Sequence, residues 1–154
     1  MKIIKKIITI IIGTAVFLFS GCVDSEKNIQ NSEIQETQKA EITQISTSVS
    51  AKQFKSFTSK ITKHDLNNVI LDVRTLPEFQ SGHIKNAQMI DFYKVDFREK
   101  LSVLDKNKKY FIYCRSGDRS GKTLKIMKKL GFANVYNLKF GINDWNRNKY
   151  LLVL

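Results

Sequence analysis

Tyr110-Phe-Ile-Tyr-Cys114-Arg-Ser-Gly-Asp-Arg-Ser120 decides the fold. An apolar, aromatic-rich run of strand type, Tyr110 to Tyr113, stops at Cys114, and Leu124, Met127 and Leu130 then recur at helical spacing up to Gly131. A short loop therefore joins a strand to a helix. Its small and polar residues Ser116, Gly117 and Asp118 let the backbone curl with N–H groups turned inward, and the helix N-terminus adds the positive end of its dipole. Such a loop is a pocket for an anion. Cys114 stands at its rim with Arg115 and Arg119 beside it, a setting that favours negative charge on sulfur without help from a histidine.

Outward from this centre, strand and helix patterns alternate. Gln44 to Val49 reads as a short strand, and Ser50 with Gln53 three residues later has the form of a capping box. Ala51, Phe54, Phe57 and Ile61 follow at helical spacing, so a helix is expected to run towards His64-Asp65. Val69-Ile-Leu-Asp-Val73 is a buried-strand run with an acid inside it. Asp72 needs a basic or N–H partner there, and Arg74, two residues on, points to the same face.

Pro77, Glu78 and Gly82 mark the start and stop of a short helix, and Ala87 to Phe92 reads as a further strand. Val95, Phe97, Leu101 and Leu104 can cover one side of a helix ending near Asp105, before the charged turn Lys106-Asn-Lys-Lys109. Beyond the central helix, Gly131 is a C-terminal cap, Phe132 to Leu138 a last strand, and Gly141 to Tyr150 a final helix with Trp145 inward. The alternation predicts an α/β fold, a parallel sheet with helices on both faces. Ligands of such folds gather at the carboxyl ends of strands, where Cys114 lies.

Four segments together resemble the rhodanese family. Asp72-Val-Arg-Thr-Leu-Pro-Glu-Phe-Gln-Ser-Gly-His-Ile84 with Ala87 is similar to its first signature, and Cys114-Arg-Ser-Gly-Asp-Arg119 to its active-site loop. Leu130 to Val135 and Gly141-Ile-Asn-Asp-Trp145 resemble the segments that close the domain. The resemblance covers roughly residues 45–150, so residues 45–154 are expected to form one rhodanese domain, and it implies a sulfurtransferase that uses no metal or other cofactor. A cysteine thiolate takes sulfane sulfur from a small sulfur-containing anion such as thiosulfate, holds it as a persulfide, and passes it to cyanide or a thiol. It further implies that Cys114 is the carrier, that N–H groups of Arg115, Ser116, Gly117, Asp118 and Arg119 cradle the bound group, and that Asp72 and Arg74 support the loop from behind. Phe140-Gly141 stands where the family commonly has Gly-Gly, which makes Phe140 a candidate for the pocket rim.

Plainer readings compete. A lone cysteine at a strand end is often a buried apolar residue, but here the flanking arginines and the loop favour the nucleophile. A non-catalytic binding module that keeps the fold is the alternative function. His83 and His64 read as structural and surface residues, and Trp145 as core. Ser116-Gly-Asp-Arg-Ser-Gly-Lys-Thr123 approaches a phosphate-binding P-loop, but Ser116 stands where the first glycine is required. Cysteine phosphatases use a similar loop with five residues between cysteine and arginine. The four between Cys114 and Arg119 suit a smaller group bound against the sulfur.

The N-terminus has its own layout. Met1 to Lys6 is positive, Ile7 to Phe19 is an uncharged run shorter than the roughly 20 residues of a spanning helix, and Ser20-Gly21 are small. Phe19-Ser-Gly-Cys22 resembles the lipobox of bacterial lipoproteins. Residues 1–21 are thus expected to be a signal peptide, Cys22 the lipidated first residue, and residues 22–44, rich in Ser, Glu, Gln and Asn, a flexible tether. The lipid would hold the protein on a membrane of the cell envelope outside the cytoplasm.

Residues 45–154 carry 21 Lys/Arg against nine acids, net +12, which attracts small anions and anionic surfaces. The lysines are scattered without a nucleic-acid motif, so no nucleic-acid partner is expected. A monomer is expected, and Cys22 and Cys114 form no disulfide framework or metal cluster.

Overall fold

The computed structural model describes residues 44–154. Five strands, β1 (Ile45–Val49), β2 (Asn68–Asp72), β3 (Ala87–Met89), β4 (Lys109–Tyr113) and β5 (Asn134–Leu138), pair in the order β1-β5-β4-β2-β3. Every pairing is parallel. Between and after them come α1 (Ala51–Thr58), α2 (Leu76–Gln80), α3 (Phe97–Ser102), α4 (Asp118–Lys129) and α5 (Gly141–Arg147).

Side chains alternate across a strand, and a sheet covered on both sides must be apolar on both. Phe111 and Tyr113 of β4 accordingly join Ile70, Leu138, Phe54 of α1 and Trp145 of α5 in one core cluster. Tyr110 and Ile112 face the other way, into a second cluster with Leu71, Val135, Leu101 of α3 and Met127 of α4. Phe54 is the keystone of the first. It is fully buried and meets Phe111, Tyr113 and Trp145 edge-on at centroid distances of 6.0, 6.4 and 6.2 Å. Truncating such a residue to alanine costs about 3–5 kcal/mol.

The expected caps form. Gln53 N–H donates to Ser50 Oγ while the Gln53 carboxamide accepts from Ser50 N–H, closing the box at α1. Gly131 takes φ +85° after α4, and Phe132 N–H reaches back to Met127 O at 3.1 Å.

Several elements are shorter than the sequence patterns predict: β5 starts at Asn134 and not Phe132, α5 ends at Arg147 and not Tyr150, and α1, β3 and α3 differ more. α1 ends at Thr58, whose hydroxyl returns to Phe54 O, and Ile61 is buried from the loop beyond, where its carbonyl accepts from Asn86 Nδ2. β3 stops at Met89 instead of Phe92. α3 begins at Phe97, leaving Val95 fully exposed in the preceding turn, so Phe97 and Leu101 alone are buried on it. Ile61 after α1, Ile90 and Phe92 after β3, and Leu104 after α3 reach the core from irregular backbone, which periodicity cannot distinguish from helix or strand.

Candidate active site

Cys114 follows the last residue of β4, and Gly117 immediately precedes α4, so the loop sits at the carboxyl end of a central strand. The thiol is 1% exposed. Two donors reach it, the N–H of Gly117 at 3.1 Å and the hydroxyl of buried Ser120 at 3.4 Å. Both come from the turn in which the chain enters α4, so the sulfur lies against the positive end of that helix.

The loop is held by α5. Ile142 N–H donates to Cys114 O at 2.8 Å and Asn143 N–H to Arg115 O at 3.1 Å. In trans peptides the next N–H points opposite to each carbonyl, so those of Arg115 and Ser116 are turned away from α5. Such close docking leaves no room for side chains at two places. A Cβ on Gly141, which has φ +62°, would collide with the backbone of Cys114 and Arg115. One on Gly117, at φ +96°, would collide with Lys139 O. Of the Phe140-Gly141 pair, Gly141 is therefore the position that requires bare backbone. The Phe140 ring is 49% exposed and borders an open hollow of about 670 Å³ with Ser116, Asn143, Asn146 and Arg147.

Across the loop lies a second hollow of about 330 Å³, bordered by Glu78, Tyr93, Arg115, Ser116, Asp118 and Arg119. The two loop arginines differ there. Arg119 Nη1 and Nη2 grip Glu78 Oε2 and Oε1 at 2.7 and 2.6 Å, and its guanidinium lies 5.4 Å from the Tyr93 ring centre. Glu78 also accepts from Thr75 N–H and Oγ1 at the start of α2. Hydrogen bonding from Arg119 lowers the Glu78 pKa to about 2, and the Arg119 pKa is raised in turn by hydrogen bonds to Glu78. Arg115 is exposed and has no carboxylate partner among the described residues. Both arginines flank the loop as expected, but they are held differently. Arg119 ties α4 to α2, and Arg115 is the one of the two without a carboxylate partner among the described residues.

Asp72 and Arg74 form the buried pair expected of them. Arg74 Nε lies 3.0 and 2.9 Å from the two Asp72 oxygens, and Nη2 bonds Asp72 Oδ2 at 2.7 Å and Gly82 O at 2.8 Å. Burial opposes the Arg74 charge, but the bonds and charge of Asp72 outweigh it and raise the pKa. The guanidinium sits 5.6 Å from the ring centre of Tyr113, the residue before Cys114, and Tyr113 Oη accepts from Ile84 N–H. The pair braces the end of β2 and the chain after α2; its hydrogen bonds do not extend to residues 115–119.

Asp118 is exposed and pairs with Lys122 one turn on at 2.9 Å. Lys122 is thus a surface residue within α4, and the P-loop reading has no lysine at the loop. His83 stacks on Phe79 at 3.8 Å, with its backbone bridged to Val153, a structural placement. Among the described residues no cluster of His, Cys, Asp and Glu could hold a metal ion, and no helix is long and apolar enough to cross a membrane. Cys22, with the whole predicted signal and most of the tether, lies outside the described residues.

Three contributors carry no local signal in the sequence. Glu78 reads there only as a charge suited to the α2 dipole, because its partner Arg119 is 41 residues away. Ser120 carried no mark beyond its place in the first turn of α4. Gly141 stands out only beside Phe140, where the family commonly has two glycines, and its contact with the Cys114 carbonyl depends on how α5 docks.

Comparison with known proteins agrees with this architecture. The chain is 34% identical over 85 residues to a protein named Sulfurtransferase from Allochromatium vinosum, covering 54% of this chain and 78% of that one. It is 43% identical over 77 residues to a tRNA uridine(34) hydroxylase of Cytophaga hutchinsonii, covering 48% of this chain and 25% of that protein. Two Bacillus subtilis relatives are spanned over 47% and 59% of their lengths. Among solved structures, a rhodanese-related protein from Thermoplasma volcanium superposes with a TM-score of 0.58 at 30% identity, covering 70% of this chain and 97% of that one. A rhodanese-like domain protein of Staphylococcus aureus gives 0.54 at 27% identity, covering 64% and 90%. The rhodanese-like domain model matches residues 51–148, and the chain belongs to the rhodanese-like family.

Proposed function

We propose that this protein is a sulfurtransferase in which Cys114 carries sulfane sulfur from a small sulfur-containing anion to a nucleophilic acceptor. The observation that carries the reading is the Cys114 sulfur held between Gly117 N–H and Ser120 Oγ at the start of α4. Those donors stabilise negative charge where a thiolate, and then the terminal sulfur of a persulfide, would bear it. With thiosulfate, the Cys114 thiolate attacks the outer sulfur. A new S–S bond forms, the original one breaks, and sulfite leaves with the electron pair. Cyanide or a thiolate then attacks that outer sulfur, the Cys114 thiolate is released, and the product is thiocyanate or a persulfide of the acceptor. No net oxidant is needed.

Arg115 is the group that would meet the incoming anion, since Arg119 is neutralised by Glu78. Residues 44–154 contain the whole sheet and both core clusters. This segment, exposed to thiosulfate, should gain the mass of one sulfur atom, removable by cyanide. Cys114→Ser should gain none. A wild-type segment that gains no sulfur but binds anions at the loop would be a binding module, and one that hydrolyses an aryl phosphate through Cys114 would be a phosphatase.

A positive start, a short apolar run and Ser20-Gly21 before Cys22 support lipidation at that cysteine and a place on a membrane outside the cytoplasm. Fatty-acid labelling of the full chain should be lost in Cys22→Ala; equal label would remove the anchor.

A further inference from the structure

We propose that a lysine-rich groove at the end of the sheet opposite Cys114 is a docking surface for an anionic phospholipid membrane. The groove, of about 670 Å³, runs between the segment after α1, the segment before β3 and the C-terminal residues. Lys55, Lys60, Lys63 and Lys85 border it, and no acidic side chain does. None of the four lysines forms an ion pair among the described residues.

Its place follows from the parallel topology. Lys85 and Asn86 lead directly into β3, and Asn86 Nδ2 holds Ile61 O in the segment that leads to β2, so the groove lies at the amino ends of these strands. Cys114 leaves the carboxyl end of β4, which pairs in parallel with β2. A surface docked at the groove therefore leaves the Cys114 loop turned towards solvent.

The chemistry of the lining selects among polyanions. Leu151 projects beside the lysines with 86% exposure, which gives the basic rim an apolar member able to enter the headgroup region. Trp145 forms part of the floor but is 1% exposed, with Lys55 Nζ 5.4 Å from its ring centre, so it offers no platform for a nucleic-acid base. Basic side chains with an exposed leucine match the negative charge and apolar interior of a lipid leaflet.

Each lysine near an anionic leaflet is worth about five-fold in partitioning. Four acting together give a weak, salt-sensitive attachment. A lipid at Cys22, which rests on the sequence alone, would make that attachment intramolecular and so raise its occupancy. The docking itself does not depend on the lipid or on sulfur transfer.

The segment 44–154 is suited to the test, because a solved relative folds as a chain of which 97% is the matched region. Co-sedimentation with vesicles containing phosphatidylglycerol should show binding that vesicles of phosphatidylcholine alone do not, and that falls with added salt. The triple variant Lys60→Gln, Lys63→Gln, Lys85→Gln should lose at least about 20-fold in partitioning. Leu151→Ser should lose a further few-fold, with unchanged melting temperatures confirming that the variants fold. A control triple on the exposed side of α4, Lys125→Gln, Lys128→Gln, Lys129→Gln, removes the same charge and should retain most of the binding.

Equal losses from the two triples would overturn the proposal in favour of the undirected field of a basic domain. Absence of binding to phosphatidylglycerol vesicles, including by the wild type, would also overturn it. So would complete displacement by inorganic phosphate at constant ionic strength, which would make the groove a site for a free anion.

Discussion

Arg119 and Glu78, 41 residues apart in the chain, meet in a two-point ion pair whose N–O distances are 2.7 and 2.6 Å. The pair joins the first turn of the helix that follows Cys114 to the capping box of α2. One of the two arginines flanking the cysteine is thereby a structural tie, and the loop inherits the rigidity of two helix starts.

The tie should titrate. The Glu78 carboxyl is held at about 2, below its ordinary 4.5, so its stabilisation is complete above about pH 4.5 and disappears as pH falls towards 2. The carboxylate is about a quarter exposed, which screens the pair, and Glu78→Gln should cost about 1–3 kcal/mol at neutral pH. Thermal melts of both proteins across acid pH check this, since the gap between them should close below pH 4.5. A gap that persists unchanged at pH 2 would assign the loss to packing.

The two arginines should separate kinetically. Arg115→Ala should raise KM for thiosulfate about 3–10-fold with little change in Tm, because an exposed, unpaired cation is lost from the rim. Arg119→Ala should lower Tm by freeing Glu78, and kcat should fall as the loop loosens. Steady-state kinetics beside calorimetry decide it, and identical profiles for the two variants would contradict the division of labour.

Gly117 and Gly131 provide a paired test of backbone crowding. Both have positive φ, +96° and +85°, but a Cβ on Gly117 meets Lys139 O whereas one on Gly131 meets nothing within 4 Å. Gly131→Ala should cost about 1 kcal/mol, the penalty of the left-handed conformation alone. Gly117→Ala should cost at least about 2–3 kcal/mol and abolish sulfur loading, because the N–H that reaches Cys114 must move. Denaturant melts and the thiosulfate mass gain are the measurements.

Phe140 should influence donor choice. Its half-exposed ring borders the hollow next to Ser116, so Phe140→Gly should improve kcat/KM for a bulky thiosulfonate more than for thiosulfate. Parallel kinetics with the two donors test this; an unchanged ratio would place the ring outside the donor's path.

Local chemistry made much of this protein legible before its structure. Strand and helix periods, the capping box at Ser50, the stop at Gly131 and the position of Cys114 after a buried strand each depend on residues within a few places of one another. The ends of α1, α3 and β3 were less legible. Ile61 is buried and Val95 exposed from irregular segments, where apolar spacing reports burial poorly.

The sequence by itself determined the alternation of strands and helices, hence a parallel sheet covered on both faces, and it determined which cysteine ends a central strand. It could not determine how the arginines are used. That was decided by the strand order β1-β5-β4-β2-β3, which sets β2 beside β4 so that the segments leaving their carboxyl ends run together. Glu78, after β2, thereby reaches Arg119, after β4. The docking of α5 likewise decided that Gly141 must be bare and that Phe140 is free to face solvent. Pairings of this kind join residues dozens of positions apart, and periodicity or capping, which act over one or two turns, carry no trace of them.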